Sequence, residues 1–121
     1  MIVQSGTHLI IDLEKCNARL DYAHVVEDFI KRLNREVLKM NVLSGPHTNY
    51  LVSSDDPMKN GVTSIMGIDT SHIAIHTFTK FDELKFDAYS CKNFHDDVPE
   101  VIKRLINTFG GRVKNLTVLT R

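Results

Sequence analysis

Between Gly61 and Cys91 the sequence GVTSIMGIDTSHIAIHTFTKFDELKFDAYSC places two strand-like runs back to back, meeting at Ser71, with a third behind them. From Ser71 onward His72, Ile73, Ala74, Ile75, His76 and Thr77 alternate, and the β-branched residues among them favour an extended backbone. Residues an even number apart on a strand share a face. His72, Ala74 and His76 therefore lie on one face and Ile73, Ile75 and Thr77 on the other. Farther on, Leu84, Phe86 and Ala88 alternate with Lys85, Asp87 and Tyr89 in a strand that delivers Cys91 at its end. Neighbouring runs of this kind commit the chain to a sheet, which the rest of the sequence has to cover.

The same segment carries residues capable of chemistry. At about 3.3 Å per residue His72 and His76 stand roughly 13 Å apart, too far to hold one metal ion together, so no metal site is expected of them. A serine at the start of one strand, a histidine along it and a cysteine on the next supply a nucleophile, a proton carrier and an acid. The commoner reading of such residues is a half-buried hairpin with ordinary hydrogen-bonded histidines. No single spacing separates the two readings.

At 121 residues, 42% hydrophobic and 25% charged, the chain is expected to form one domain, residues 1–121, with a modest core. Fifteen Lys and Arg balance fifteen Asp and Glu without a block of like charge, which points away from nucleic acid and anionic membrane as partners. The two cysteines are far apart, no signal segment is visible and no apolar run approaches a bilayer span. A cytoplasmic protein with reduced thiols is expected.

Gly6 to Glu14 reads as a strand, with Leu9, Ile11 and Leu13 on one face and His8, Ile10 and Asp12 on the other. From Asp21 as N-cap, Val25, Val26, Phe29, Ile30, Leu33, Val37 and Leu38 recur at helical spacing. A strand begins at Asn41 and runs into a turn or irregular segment at Ser44-Gly45-Pro46, Tyr50 to Ser53 is extended, and Ser54 to Gly61 forms a polar loop. Asp96 or Asp97 caps a second helix with Pro99 in its first turn and Val101, Ile102, Leu105, Ile106 and Phe109 on its buried face. Gly110-Gly111 ends it, and a last strand runs from Arg112 to Leu119. This order predicts a two-layer α+β sandwich, one antiparallel sheet with two helices on one face.

The run Ser71-His72-Ile73-Ala74-Ile75-His76-Thr77, with Asp87 and Cys91 downstream, resembles the processing segment of the prokaryotic S-adenosylmethionine decarboxylase proenzymes, ESHxxIHTWPE followed by D-x-x-x-C. Gly6-Thr7-His8-Leu9-Ile10-Ile11-Asp12-Leu13 and Cys16 resemble the family's GxHLIxDLxxC opening. The resemblance implies self-cleavage between Thr70 and Ser71 into chains 1–70 and 71–121. Ser71 attacks the Thr70 carbonyl, and β-elimination then leaves a pyruvoyl group derived from Ser71. In this scheme His76 takes up the elimination proton and Thr63, at the place of a family serine, assists processing. The pyruvoyl forms a Schiff base with the amine of an amino-acid-type substrate, and Cys91 is the acid that protonates the product carbon. His47 falls where the family carries a histidine, and Cys16 reads as structural. Family members pair as homodimers whose two active sites are built from both protomers.

The chain departs from the family at positions that touch substrate. Thr70 replaces the glutamate before the processing serine, and Phe78-Thr79-Lys80 replaces Trp-Pro-Glu. Phe78 still stacks, whereas Lys80 cannot accept hydrogen bonds from ribose hydroxyls as a glutamate does. The loop Ser54–Gly61 is longer than the family's and lies close to a catalytic strand. Three functions follow as expectations: an S-adenosylmethionine decarboxylase of spermidine biosynthesis, a pyruvoyl decarboxylase of arginine or ornithine on the same scaffold, or a non-catalytic homologue that binds or regulates.

Overall fold

The alternation around Ser71 builds the centre of a six-stranded antiparallel sheet. The computed structural model of the protein describes residues 6–121. Its strands are β1 (Thr7–Glu14), β2 (Val42–Leu51), β3 (Gly61–Ile68), β4 (Ser71–Phe78), β5 (Glu83–Ser90) and β6 (Arg112–Thr120), in the spatial order β2-β3-β4-β5-β1-β6. Ile68 pairs with Ser71 across the β3–β4 hairpin, and Thr63 lies opposite His76. Tyr89 on β5 faces His72 on one side and His8 on the other.

One face of the sheet presents Leu9, Ile11, Leu13, Val62, Met66, Ile73, Ile75, Leu84 and Phe86, all essentially excluded from solvent. The helices α1 (Ala23–Leu33) and α2 (Val98–Phe109) close over it with Val26, Phe29, Ile30, Leu33, Val101, Leu105 and Phe109. Phe29 and Phe109 join the helices, ring centroids 5.7 Å apart. Each such side chain contributes about 1.5–3 kcal/mol through burial, so this single core accounts for the choice of face. Buried Thr77 is fully used: its hydroxyl donates to the Leu20 carbonyl at 2.6 Å and accepts from the Val62 N–H at 2.8 Å, tying β4 to the approach of α1. The opposite face, with His8, Thr63, Ile65, His72, Ala74, His76, Asp87 and Tyr89, has no helix over it among the described residues.

The two-layer α+β sandwich is the expected one, with local differences. The N-cap of α1 is Tyr22 rather than Asp21, and no side chain caps it; the Tyr22 carbonyl accepts from Val25 and Val26 directly. The helical stripe ends in a π-helical turn, Asn34–Leu38, because the buried Asn34 amide turns back to bond the Met40 backbone through both its oxygen and its nitrogen. Ser44-Gly45-Pro46 is an irregular segment inside β2 rather than a turn. Register shifts at Ser44 and before His47 absorb it, and an edge strand tolerates proline because only one side of it is paired. The β2 ladder includes Tyr50 and ends at Leu51. Asp97 is at the N-cap of α2 without a side-chain bond, after a 3-10 turn at His95–Asp97. Left-handed Gly110 and Gly111, φ 73° and 81°, let the chain leave α2 for β6.

Candidate active site

Ser71 opens β4 immediately after a two-residue turn, and its Oγ accepts a hydrogen bond from the Cys91 N–H at 3.0 Å. Their separation of 20 positions is the length of β4, the next turn and β5, so hairpin geometry alone brings the serine and the cysteine together. Thr70, which carries the carbonyl that Ser71 would attack, belongs to the same end of the sheet.

His76 lies five residues along β4, where the Thr63 hydroxyl is hydrogen-bonded to its Nδ1 at 2.9 Å. Strand alternation places both on the helix-free face. Phe78 and Lys80 continue beyond His76, Phe78 opposite Glu83 and Lys80 exposed in the β4–β5 turn. The loop Ser54–Gly61 packs onto that turn, since the Asn60 carbonyl accepts from both the N–H and the hydroxyl of Thr79, at 3.1 and 3.2 Å.

The candidate residues thus fall into two groups, Thr70, Ser71 and Cys91 at one end of β4 and Thr63, His76, Phe78 and Lys80 toward the other. Five steps along the strand separate Ser71, its first residue, from His76 by roughly 16 Å. A proton transfer needs about 3 Å, or one intervening water. Within one chain His76 does not serve Ser71.

Between the two groups the uncovered face holds a network that the sequence reading did not assemble. His8 and His72 each bond a different oxygen of Asp87, His72 at 3.3 Å, and the three ligating atoms lie within 4.8 Å of one another. The Arg121 guanidinium donates to His8 Nδ1 at 3.5 Å and lies over the Tyr89 ring, 5.0 Å from its centroid. His8 Nε2 therefore carries the proton given to Asp87. His8 and Asp87 sit inside the two quoted motifs, and their even positions on β1 and β5 relative to Ile10 and Lys85 were the available signal. His47 is remote from this network, on edge strand β2 with Ser44 Oγ at 2.7 Å.

The two cysteines differ in kind. Cys16 is buried, and its thiol is pushed up to about 11, by burial first and then by the Asp82 and Glu83 carboxylates. Cys91 is half-buried beside Ser71. A groove of about 600 Å3 between the helices, floored by Phe29 and edged by Arg19, Arg32 and Arg104, touches none of the candidate residues.

The family described as S-adenosylmethionine decarboxylase matches residues 7–121, nearly the full length. The chain belongs to this family. Its members are pyruvoyl-dependent lyases made as proenzymes. The S-adenosylmethionine decarboxylase proenzyme of Methanococcus maripaludis is 29% identical over 106 residues, which cover 84% of this chain and 80% of that protein. That of Thermodesulfovibrio yellowstonii is 24% identical over 91 residues, 71% of this chain and 58% of the relative. The crystal structure of the adenosylmethionine decarboxylase from Aquifex aeolicus VF5 shares the fold, with a TM-score of 0.68 at 16% identity over 99% of this chain and 91% of that one. Among the described residues no helix is long and apolar enough to cross a membrane.

Proposed function

We propose that this chain cleaves itself between Thr70 and Ser71 to make a pyruvoyl-dependent decarboxylase, with each active site formed between two copies. The observation that carries this reading is the division of the candidate residues into two groups about 16 Å apart on one strand. A second copy against the helix-free face, related by a two-fold axis, sets the Thr63–His76 pair of one chain beside Ser71 and Cys91 of the other, twice. The uncovered face also presents Ile65 and Leu119, 45% and 44% exposed, as apolar surface for such a contact.

The roles follow from position. Ser71 Oγ attacks the Thr70 carbonyl carbon, and the partner's His76, oriented by its Thr63, takes the proton released as the resulting ester is eliminated. A pyruvoyl group at position 71 supplies an electron sink for loss of CO2 from an α-amino acid. The Cys91 N–H bond to Ser71 Oγ supports the fit, because it keeps the proposed proton donor beside the residue that becomes the group. Phe78 and Lys80 border the substrate from the partner's side. The substrate is S-adenosylmethionine, which places the enzyme in spermidine biosynthesis. Lys80 at a ribose-binding position favours a second reading, arginine or ornithine.

Mixing distinguishes a shared site from one confined to a single chain. Alone, the Ser71→Ala chain stays uncleaved and the His76→Ala chain is cut about a hundredfold or more slower than wild type. Co-expressed, they form mixed dimers in which one site has both Ser71 and His76, so the His76→Ala chain is cut faster and intact mass shows two fragments. No faster cleavage in the mixture, with wild type cleaving normally, sinks the shared site. An uncleaved wild type sinks the self-cleaving enzyme altogether and leaves a non-catalytic homologue.

A further inference from the structure

The turn that carries the scissile bond is strained at one residue and pinned from outside. β3 and β4 are joined by Asp69 and Thr70 alone, with Ile68 and Ser71 paired. Thr70 has φ 52°, and Asp69 is not in the positive region. A positive φ at only the second central residue calls for glycine or asparagine, and hairpin twist favours the primed turns instead. Among the described non-glycine residues with positive φ, Lys15, Arg19, Lys39, Thr70 and Asp82, Thr70 alone is β-branched. A β-branched side chain in the left-handed region crowds its own backbone.

Something must hold such a turn, and Asn41, just before β2, does so twice. Its carbonyl accepts from the Asp69 N–H at 3.0 Å, and its Nδ2 donates to Asp69 Oδ2 at 3.0 Å. The Thr70 hydroxyl donates to the Asp69 carbonyl at 2.7 Å, and on the other side the Cys91 N–H holds Ser71 Oγ. The strained residue is the one whose carbonyl Ser71 attacks.

We propose that Asn41 is a positioning residue for self-cleavage, holding Thr70 in the strained conformation whose release drives the acyl shift. This rests on the self-cleavage reading above. In the shift Ser71 Oγ bonds to the Thr70 carbonyl carbon, the Thr70–Ser71 C–N bond breaks, and the hydroxyl proton ends on the Ser71 nitrogen; no atom is gained or lost. The path through the turn then runs by Cβ and Oγ instead of N, one atom longer. That slack lets Thr70 leave the left-handed region, so the strain of the amide is absent from the ester.

The test follows the rate of chain cleavage by intact mass after cell-free synthesis. Thr70→Gly, at ease in this conformation, cleaves about tenfold more slowly than wild type, and Thr70→Asn falls between them. Asn41→Ala slows the wild-type chain but has no effect in a Thr70→Gly chain, where there is no strain left to hold, a non-additivity that a merely structural role does not produce. In an uncleavable Ser71→Ala background, Thr70→Gly raises the melting temperature. Thr70→Gly keeping pace with a normally cleaving wild type overturns the proposal, as do additive effects of Asn41→Ala and Thr70→Gly. An uncleaved wild type overturns the self-cleavage reading and this inference with it, and the wild-type control tells the two failures apart.

Discussion

Thr63 and His76 meet across the β3–β4 ladder with hydroxyl and Nδ1 2.9 Å apart, the only partner the described residues give the His76 ring. A histidine bonded at Nδ1 has its ring plane fixed and its Nε2 directed outward, the arrangement a proton carrier needs. Replacing His76 by alanine should slow chain cleavage about a hundredfold or more, the usual contribution of a placed acid or base. Hydroxylamine, which attacks esters, should then release two fragments from the stalled chain. Thr63→Val keeps the shape and loses the hydroxyl, so it should show a smaller defect, on the order of tenfold, that Thr63→Ser restores. Equal cleavage by Thr63→Val and wild type would remove Thr63 from the machinery.

Ile65 pairs with Ala74 on the uncovered face and is 45% exposed, whereas Ile75, one residue on, is fully buried beneath the helices. The two faces should answer mutation differently. Ile75→Ala should cost about 2–5 kcal/mol of stability, from lost burial and the cavity left behind. Ile65→Lys should leave thermal unfolding of the chain nearly unchanged while sedimentation shows a monomer and cleavage fails. A dimer that survives Ile65→Lys and still cleaves would place the contact elsewhere.

The sheet and its buried face were legible because period-two alternation is a direct image of burial. β1, β4 and β5 begin and end within one residue of where their apolar residues alternate. What the sequence concealed is set by backbone hydrogen bonds and register. Gly45-Pro46 looks like a turn, yet bulges let β2 carry it along an edge. Asp21 has the chemistry of an N-cap, but helix α1 starts one residue later without it. The candidate residues were named through two motifs, and strand rise alone already sets Ser71 and His76 roughly 16 Å apart, but spacing says nothing of which copy a residue serves. The Asn41–Asp69 pairing joins residues 28 apart with no pattern to announce it.

Cys16 and Cys91 should separate by reactivity. With its thiol raised to about 11, Cys16 presents roughly one thiolate in a thousand at pH 8, and it is buried as well. Iodoacetamide on the native protein should label Cys91 first, read by peptide mass, and label both cysteines after unfolding. The same shift sets a pH dependence. The unfolded Cys16 loses its proton near 9.0 and the folded one near 11, so between these values the unfolded state binds fewer protons. Stability should therefore be unaffected by Cys16 below about pH 9 and decline as pH rises from there to about 11. Cys16→Ala should flatten that part of the curve, measured by denaturant midpoints.

Lys80 bears on which substrate the site takes. It follows Phe78 by two residues in a turn fastened to the Asn60 carbonyl by Thr79, so its backbone is fixed although its side chain is exposed. An ammonium offers only donors, and the two hydroxyls of a ribose are best met by a carboxylate that accepts from both. A hydrogen bond to a charged group is worth about 1.5–3 kcal/mol, which is roughly a tenfold to hundredfold preference. Lys80→Glu should therefore raise kcat/KM for S-adenosylmethionine by about that factor while leaving arginine and ornithine unimproved, measured as CO2 release from each. Because Lys80 lies on the partner's side of the proposed site, the gain should appear in mixed dimers only when Lys80→Glu and an intact His76 are on the same chain. An unchanged ratio of the three substrates would mean that residue 80 does not reach the ribose, and selection would then rest with Thr70 and Phe78.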